Sequence, residues 1–141
     1  ALNDNAANLS VQLERIVEDA RSDGGPQIEL EVLAEHAPAN VANCFAAVLR
    51  EALSNTMRHA HAQNVTVRCM EHPSFYQLIV TDDGTGATKT NSRGIAEGMG
   101  LGSMRERVEA LGGTFTAGLR AGAPGWRVFA TVPKQQGDVA R

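Results

Sequence analysis

The 141-residue chain has only two cysteines and no apolar run of the roughly 18 residues that a membrane-spanning helix requires. Its first twenty residues spread acids through an amphipathic pattern, which is unlike a secretory signal. Cys44 and Cys69 fall at apolar positions of a predicted helix and a predicted strand, so we expect buried free thiols and no disulfide. Free thiols suit a reducing compartment, and the expected location is therefore cytoplasmic.

An excess of positive charge is also lacking. The 13 Lys and Arg residues face 16 Asp and Glu residues, for a net charge of -3, which argues against a general nucleic-acid surface. We expect no membrane contact by this chain either. Internal repeats and low-complexity segments are absent, and the length predicts one domain over 1–141, with a core at about 9–133 and a flexible tail at 134–141. No initiator methionine precedes Ala1, which indicates a fragment of a longer protein.

Hydrophobic periodicity predicts three helices and five strands. The helices are expected over 6–21, 39–62 and 103–111, and the strands over 28–32, 64–70, 75–81, 114–118 and 126–132. Two predicted hairpins and few crossovers favour an α+β fold, a two-layer sandwich in which helices cover one face of a mixed, mostly antiparallel sheet. Residues 87–97 are polar and without periodicity, which predicts a short mobile lid.

The longest predicted helix carries Glu51, Asn55 and Arg58 at positions i, i+4 and i+7. At 100° per residue these side chains share one ridge, with His59 beside them. A solvated face with an ion pair between Glu51 and Arg58 explains the charges alone. Asparagine, however, is a poor residue inside a helix unless its amide has a specific role. Asn55 is therefore a candidate oxygen ligand for a hard cation beside phosphates.

Asp82 is the last residue before the turn Asp83-Gly84-Thr85-Gly86. An acid in this position places a carboxylate at the rim of the sheet, beside glycine backbone that another molecule can approach closely. A calcium loop is disfavoured because the later oxygen ligands that it needs are missing. A plain turn remains the alternative.

Glycines alternate at Gly98, Gly100 and Gly102, directly before the third predicted helix. Ser103 with Glu106 predicts a capping box at the start of this helix, and Gly112 is placed to close it. A glycine loop before a helix N-terminus is a good binding site for polyphosphate. A flexible loop before a surface helix is the alternative.

These segments together resemble the motifs of the GHKL ATPase superfamily, which has the Bergerat fold. The N box is matched by 50–60, the G1 box by 82–86 and the G2 box by 98–102, and the resemblance covers about 9–133. Within the superfamily, 50–60, the short lid and 102–113 resemble the catalytic and ATP-binding domain of NarL-partner sensor histidine kinases. That group includes actinobacterial oxygen-sensing dormancy kinases, and this chain is a candidate member of it.

The resemblance implies roles at the phosphate end of an ATP site. Asn55 would ligate the Mg²⁺ that bridges the phosphates, and Glu51 would act as a general base or orient the incoming nucleophile. Arg58 and His59 would lie near the phosphates. The segment from Gly98 to Gly102, which includes Gly100 and Leu101, would cover the triphosphate.

The resemblance also implies roles at the adenine end. Asp82 would accept a hydrogen bond from the exocyclic amine, with Gly84 and Gly86 at the floor of the pocket. Many relatives carry a threonine after the glycine of the last hairpin, where it helps to hold adenine. Here Trp126 follows Gly125, so that contact is either missing or made by Thr131.

A phosphoacceptor motif is absent. None of the four histidines stands in the acid- and arginine-flanked helical setting of a phosphoacceptor; they are His36, His59, His61 and His72. The resemblance therefore implies a kinase domain that phosphorylates a histidine on a separate dimerisation domain of the same receptor, upstream of a response regulator. The domain alone is expected to be monomeric. An anti-sigma-factor-like serine kinase and an ATP-gated module without phosphotransfer are the alternatives.

Overall fold

The computed structural model describes residues 6–34, 36–85 and 100–135. The helices are α1 (Leu9–Ala20), α2 (Ala39–Asn55) and α3 (Leu101–Glu109), and a π-helical turn at Thr56–Ala60 follows α2. The strands are β1 (Ala6–Asn8), β2 (Gln27–Val32), β3 (His36–Pro38), β4 (Asn64–Glu71), β5 (Phe75–Asp82), β6 (Thr114–Leu119) and β7 (Trp126–Pro133).

Five of the strands form one mixed sheet in the order β2-β4-β5-β7-β6. β2 and β4 are parallel, and the other three neighbouring pairs are antiparallel. Alternate residues of β5 and β7 are buried, because their side chains face the layer in which α2 and α3 pack on the sheet. The predicted two-layer α+β sandwich is confirmed.

The first predicted helix begins too early. Residues Ala6–Asn8 form β1, which pairs antiparallel with β3 in a separate two-stranded sheet. α1 begins at Leu9 because the side chain of Asn8 caps it, with Asn8 Oδ1 accepting the Val11 N–H at 3.1 Å. Helical periodicity carries no information about a strand that pairs with residues thirty positions away.

The second predicted helix, 39–62, is interrupted near its end. α2 ends at Asn55, the π-helical turn continues to Ala60, and His61 then adopts a left-handed φ of 51°. A left-handed residue is a common way to end a helix, although glycine is more usual there than histidine. The wider π-helical turn changes the direction in which the side chains after Asn55 point.

The predicted capping box of α3 is wrong. α3 begins at Leu101 with Gly100 as its N-cap in a left-handed conformation, and no side chain caps it, so Ser103 lies inside the first turn. The predicted end is confirmed. Gly112 has a φ of 77° and donates its N–H to Glu109, while the N–H of Gly113 reaches back to Val108, as in a Schellman motif.

The core lies between the helices and the sheet. Its largest fully buried side chains include Phe45, Leu49, Leu78 and Met104. Both cysteines are buried and unpaired, as predicted, and burial raises the pKa of the Cys69 thiol to about 12. Across the described ranges, no helix combines the length and apolar character needed to cross a bilayer.

Gly125 holds the turn between β6 and β7 against the end of β5. Its φ is 126°, and a Cβ at this position would overlap the backbone carbonyl of Asp82. Gly122, in the same turn, has a φ of 75° and open space around the position of a Cβ. Substitutions at the two glycines can therefore distinguish the cost of a positive φ, which both share, from the cost of a close backbone contact, which only Gly125 has.

We expect Gly122→Ala to lower the free energy of unfolding by about 1–2 kcal/mol, the cost of a left-handed conformation. Gly125→Ala should cost at least about 2 kcal/mol more, because the turn must also move away from Asp82. Urea unfolding of both variants measures the difference. Equal losses in the two variants would contradict a close contact at Gly125.

Candidate functional site

The Asp82 carboxylate joins three elements at one end of the sheet. Asp82 is the last residue of β5 and is only 4% exposed. Its Oδ1 accepts the N–H of Gly84 at 2.9 Å, and its Oδ2 accepts the hydroxyl of Thr56 at 3.1 Å. A buried acceptor is thereby fixed in orientation by donors from the π-helical turn and from the loop after β5.

Burial dominates the electrostatics of this carboxyl. Desolvation raises the pKa of Asp82 above its ordinary value of 3.8, against the opposing hydrogen bonds from Gly84, Thr56 and Trp126, and the nearby charge of Asp83 adds to the rise. A desolvated carboxylate is a strong acceptor, because water does not compete for its lone pairs.

The raised pKa of Asp82 predicts the sign of a pH effect on stability. Between 3.8 and the raised pKa, the folded state keeps a proton that the unfolded state has released, so this group lowers stability as the pH rises through that window. The substitution Asp82→Asn removes the carboxyl group that titrates. The free energy of unfolding of wild type relative to Asp82→Asn should therefore fall as the pH rises from about 4, and become constant above the raised pKa. Urea unfolding of both proteins over this range tests the sign, and a relative stability that rises with pH would contradict it.

Arg58, in the π-helical turn, lies close to both Glu51 and Asn55 of α2, as the spacing of the three residues predicts. Arg58 Nη2 lies 3.7 Å from Glu51 Oε2 and donates to Asn55 Oδ1 at 3.4 Å. The side chains of Glu51 and Arg58 are 37% and 57% exposed, so their ion pair contributes little stability. Asn55 is 3% exposed, which a solvated charged face does not explain.

Asn55 and Thr56 link the two halves of the site, because they are consecutive residues. Asn55 faces the cluster with Glu51 and Arg58, whereas Thr56 bonds the Asp82 carboxylate. The end of α2 and the start of the π-helical turn therefore bring two sets of polar groups side by side. The cluster around Asn55 offers oxygen atoms and the cationic Arg58, and the Asp82 carboxylate offers a buried acceptor.

The N-terminus of α3 adjoins Glu51. A Cβ added to Gly100 would lie 2.8 Å from Glu51 Oε1, so the absence of a side chain lets the carboxylate approach the start of the helix. A cleft of about 370 Å³ lies between α2 and α3, with Glu51, Ser103 and Arg107 in its lining. The free N–H groups of a helix N-terminus and an arginine suit an anion in such a cleft.

The structure corrects the predicted loop from Gly98 to Gly102. Leu101 and Gly102 form the first turn of α3 and do not belong to a loop, because the Met104 N–H already bonds the Gly100 carbonyl at 3.1 Å. A Cβ at Gly102 would meet nothing within 4 Å. Gly86, Gly98 and the predicted lid at 87–97 lie outside the described residues, as does the side chain of His59.

Thr131 is not brought to this site. In the pairing of β5 with β7, Asp82 lies opposite Trp126, and Thr131 lies opposite Gln77, five residues away along the strand. An odd offset also turns the side chain to the other face of the sheet. There its hydroxyl bonds that of Thr114 at 2.6 Å. The expected adenine contact by Thr131 is therefore wrong.

Two residues of the site were missed by sequence reasoning. Thr56 lies within the predicted helix 39–62, where sequence reasoning assigned it no role in the site, but its hydroxyl orients Asp82. Trp126 is 4% exposed, and its indole Nε1 is buried without a hydrogen-bond acceptor. In the sequence, Trp126 follows Gly125 where many relatives carry threonine, and this difference could have pointed to Trp126.

A magnesium ion fits the donors of this site when phosphates complete its coordination. Within 6–34, 36–85 and 100–135, no three His, Cys, Asp or Glu side chains form a metal cluster, so a cage made of these residues alone is not available. The amide oxygen of Asn55, at the end of α2, is a hard oxygen donor that suits this ion. Mg²⁺ commonly takes one or two protein oxygens together with water and substrate phosphates.

Comparison with known families places this domain in a class of ATPase domains. A family model described as "Histidine kinase-, DNA gyrase B-, and HSP90-like ATPase" matches residues 40–136. The chain belongs to this family, so the GHKL resemblance and the expected fold are confirmed. The family supports the use of ATP.

Curated relatives with similar sequences are sensor kinases. The chain is 36% identical over 88 residues to the signal transduction histidine-protein kinase/phosphatase UhpB of Salmonella typhimurium strain LT2, and this match covers 62% of the chain and 16% of UhpB. It is 46% identical over 68 residues to the sensor histidine kinase NarS of Mycobacterium tuberculosis, over 47% of the chain and 16% of NarS. The chain thus spans about a sixth of the length of these relatives. Placement among oxygen-sensing kinases stays a prediction.

Solved structures support the same fold. The mycobacterial sensor histidine kinase MprB aligns over 91% of this chain and 95% of the MprB chain, with a TM-score of 0.68 and 17% identity. The catalytic domain of the histidine kinase ThkA aligns over 92% and 94%, with a TM-score of 0.70 and 15% identity. At such low identity these matches concern the fold alone.

Proposed function

We propose that this chain is the catalytic domain of a sensor histidine kinase, which binds Mg-ATP and transfers the γ-phosphoryl group to a histidine on the dimerisation domain of the same receptor. The observation that carries the proposal is that Arg58 lies close to both Glu51 and Asn55, while Thr56, which follows Asn55 in the chain, bonds the buried Asp82 carboxylate. Membership of the ATPase family and the sensor kinase relatives support it.

Asp82 and Gly84 are assigned to the adenine end. The exocyclic amine of adenine would donate to the Asp82 carboxylate, which Gly84 and Thr56 hold in place. Guanine carries a carbonyl at the position of that amine, and two acceptors facing each other would leave the buried carboxylate without a ligand donor. The site therefore favours adenine.

Asn55, Arg58 and the N-terminus of α3 are assigned to the phosphates. Mg²⁺, held by Asn55, would neutralise phosphate charge. Arg58 is close to the same oxygen, and Gly100, Leu101 and Gly102 would bring backbone N–H groups to the phosphates. Phosphoryl transfer depends mainly on such positioning and electrostatic stabilisation. His59, Gly86 and Gly98 keep the roles that the resemblance implies for them.

Glu51 is assigned to the nucleophile. A nitrogen of the incoming imidazole forms a bond to the γ-phosphorus as the bond from that phosphorus to the bridging oxygen of ADP breaks. Glu51 accepts the N–H of the ring, and so orients it or takes its proton. The carboxylate of Glu51 lines the α2–α3 cleft and is partly exposed, which would make it accessible to a protein substrate. A response regulator would receive the phosphoryl group next, in the cytoplasm.

The proposal is tested by titrating Mg-ATP into the chain by calorimetry, with GTP as competitor, and by adding a dimerisation domain with γ-labelled ATP. We expect ATP binding that GTP does not displace, followed by an acid-labile phosphohistidine on the dimerisation domain. Acid-stable phosphoserine on a partner would instead support the serine kinase alternative. ATP binding with no transfer would support the ATP-gated alternative.

A further inference from the structure

A groove of about 490 Å³ lies between α1 and α2, and it is distinct from the α2–α3 cleft that contains Glu51. Five side chains of α1 line it, namely Gln12, Arg15, Ile16, Asp19 and Ala20. Their spacing of i, i+3, i+4, i+7 and i+8 is that of one continuous helix face, about 12 Å long. Such a face is normally packed against another element, whereas here part of it borders open space.

The opposite wall of the groove has the same spacing. It consists of Arg50, Leu53 and Ser54 of α2 with Met57 and Arg58 of the π-helical turn. Leu53 is almost fully buried, but Met57 is 39% exposed. Methionine and arginine are both enriched at protein–protein interfaces. Two helical stripes of equal length therefore line an apolar groove that is bordered by cationic side chains.

The walls of the groove favour a helical occupant. The backbone N–H and C=O groups inside α1 and α2 are already bonded within each helix, so an extended segment placed between them would find no backbone partners. A helix satisfies its own backbone groups and brings only side chains to the groove. An amphipathic helix with apolar residues at i, i+3, i+4 and i+7 matches a groove of two helical turns.

The charges around the groove favour an acidic helix. Three arginines and one aspartate line it, although the whole chain has a net charge of -3. Arg58 already pairs with Glu51. In contrast, Arg15 and Arg50 form no ion pair with any residue that the structure describes. Both guanidinium groups are therefore available to carboxylates of a partner.

We propose that the α1–α2 groove is a docking surface for an acidic amphipathic helix of a partner protein. Apolar residues of that helix pack on Ile16, Leu53 and Met57, and its carboxylates pair with Arg15 and Arg50. The α2–α3 cleft lies on the other side of Arg50, which lines both spaces. A docked helix is thus a neighbour of the proposed phosphotransfer site and does not fill it. The inference does not depend on nucleotide binding.

The test adds labelled peptides of about 18 residues, long enough to form an isolated helix, to the 141-residue chain. The first peptide has leucines at i, i+3, i+4 and i+7 with glutamates on both flanks, and fluorescence anisotropy should give a Kd on the order of 10–100 µM. Lysines in place of the glutamates should weaken binding about 10-fold or more. A peptide of the same composition with leucines at alternate positions, as in a strand, should not bind.

Substitutions in the groove test charge and apolar contact separately. Arg15→Glu should weaken the acidic peptide about 10-fold and strengthen the lysine peptide, whereas Arg105→Glu, the same charge change on α3, should leave both affinities within about 2-fold. Met57→Ser should weaken both peptides about 5-fold or more. Leu33→Ser, which removes a more exposed apolar side chain outside the groove, should change neither affinity.

Backbone amide chemical shifts of wild type locate the bound peptide even if a variant fails to fold. We expect the acidic peptide to shift resonances of α1 and of 50–58 and to leave β6 and β7 unchanged. The inference is overturned if the acidic peptide does not bind at about 1 mM, if both peptides bind equally, or if the shifts centre on another surface. Self-association of wild type that Met57→Ser abolishes, measured by sedimentation, would also overturn it by assigning the groove to a second copy of the chain.

Discussion

Replacing Asp82 with asparagine is expected to weaken the binding of Mg-ATP by about 100-fold or more, because a charge-assisted hydrogen bond is lost from a buried site. The amide keeps the size of the carboxyl, and its oxygen still accepts the N–H of Gly84. Its NH₂ group, however, presents donors where the amine of adenine also brings donors. The Thr56 hydroxyl can rotate to accept from that NH₂ group, so the fold is retained while ligand recognition is lost.

Asp83→Asn is the matched control, because it removes the same charge from the neighbouring residue. The Asp83 carboxylate accepts from the side chain and N–H of Asn64 and from the N–H of Gln63, and these bonds lower the pKa of Asp83. A lowered pKa stabilises the fold above the ordinary pKa, so Asp83→Asn should reduce stability at neutral pH and leave ATP affinity within about 3-fold. Wild-type affinity in Asp82→Asn, measured by calorimetry, would contradict the adenine assignment.

Much of this site could be predicted from the sequence because its elements are locally encoded. Alternating apolar residues predicted the central strands, and their ends placed Asp82 at the rim of the sheet. The spacing of Glu51 and Asn55 on an α-helix predicted their shared ridge, since both residues precede the end of α2. The Schellman ending at Gly112 follows from a single residue that tolerates a left-handed conformation.

The contacts of Thr56 and Trp126 could not be predicted, because they depend on residues far away in the chain. Thr56 reaches Asp82, 26 residues later, from a π-helical turn, whereas the prediction assumed 100° per residue throughout. The register of β5 against β7 decides that Trp126 and not Thr131 lies beside Asp82. A shift of one residue in that register would exchange the faces, and periodicity alone does not fix it.

The ion pair between Glu51 and Arg58 leaves two explanations for Glu51 that a single substitution can separate. If Glu51 serves only as a partner for Arg58, its loss should change stability by less than about 1 kcal/mol and leave phosphotransfer intact, because both side chains are partly exposed. If Glu51 orients or deprotonates the incoming imidazole, the chemical step should fail while nucleotide binding persists. The two explanations differ in kcat and not in the affinity for ATP.

We therefore expect Glu51→Gln to slow transfer of the γ-phosphoryl group to a dimerisation domain by about 100-fold to 1,000-fold, the usual contribution of general acid–base catalysis. Its affinity for Mg-ATP should stay within about 3-fold of wild type, because glutamine keeps the size of the side chain beside Gly100. Glu106→Gln, on the exposed side of α3, controls for the loss of one negative charge. Transfer at the wild-type rate by Glu51→Gln would show that Glu51 serves only as the ion-pair partner of Arg58. Loss of ATP binding would instead place Glu51 among the groups that hold the phosphates, since catalysis of the transfer step alone does not change the affinity for ATP.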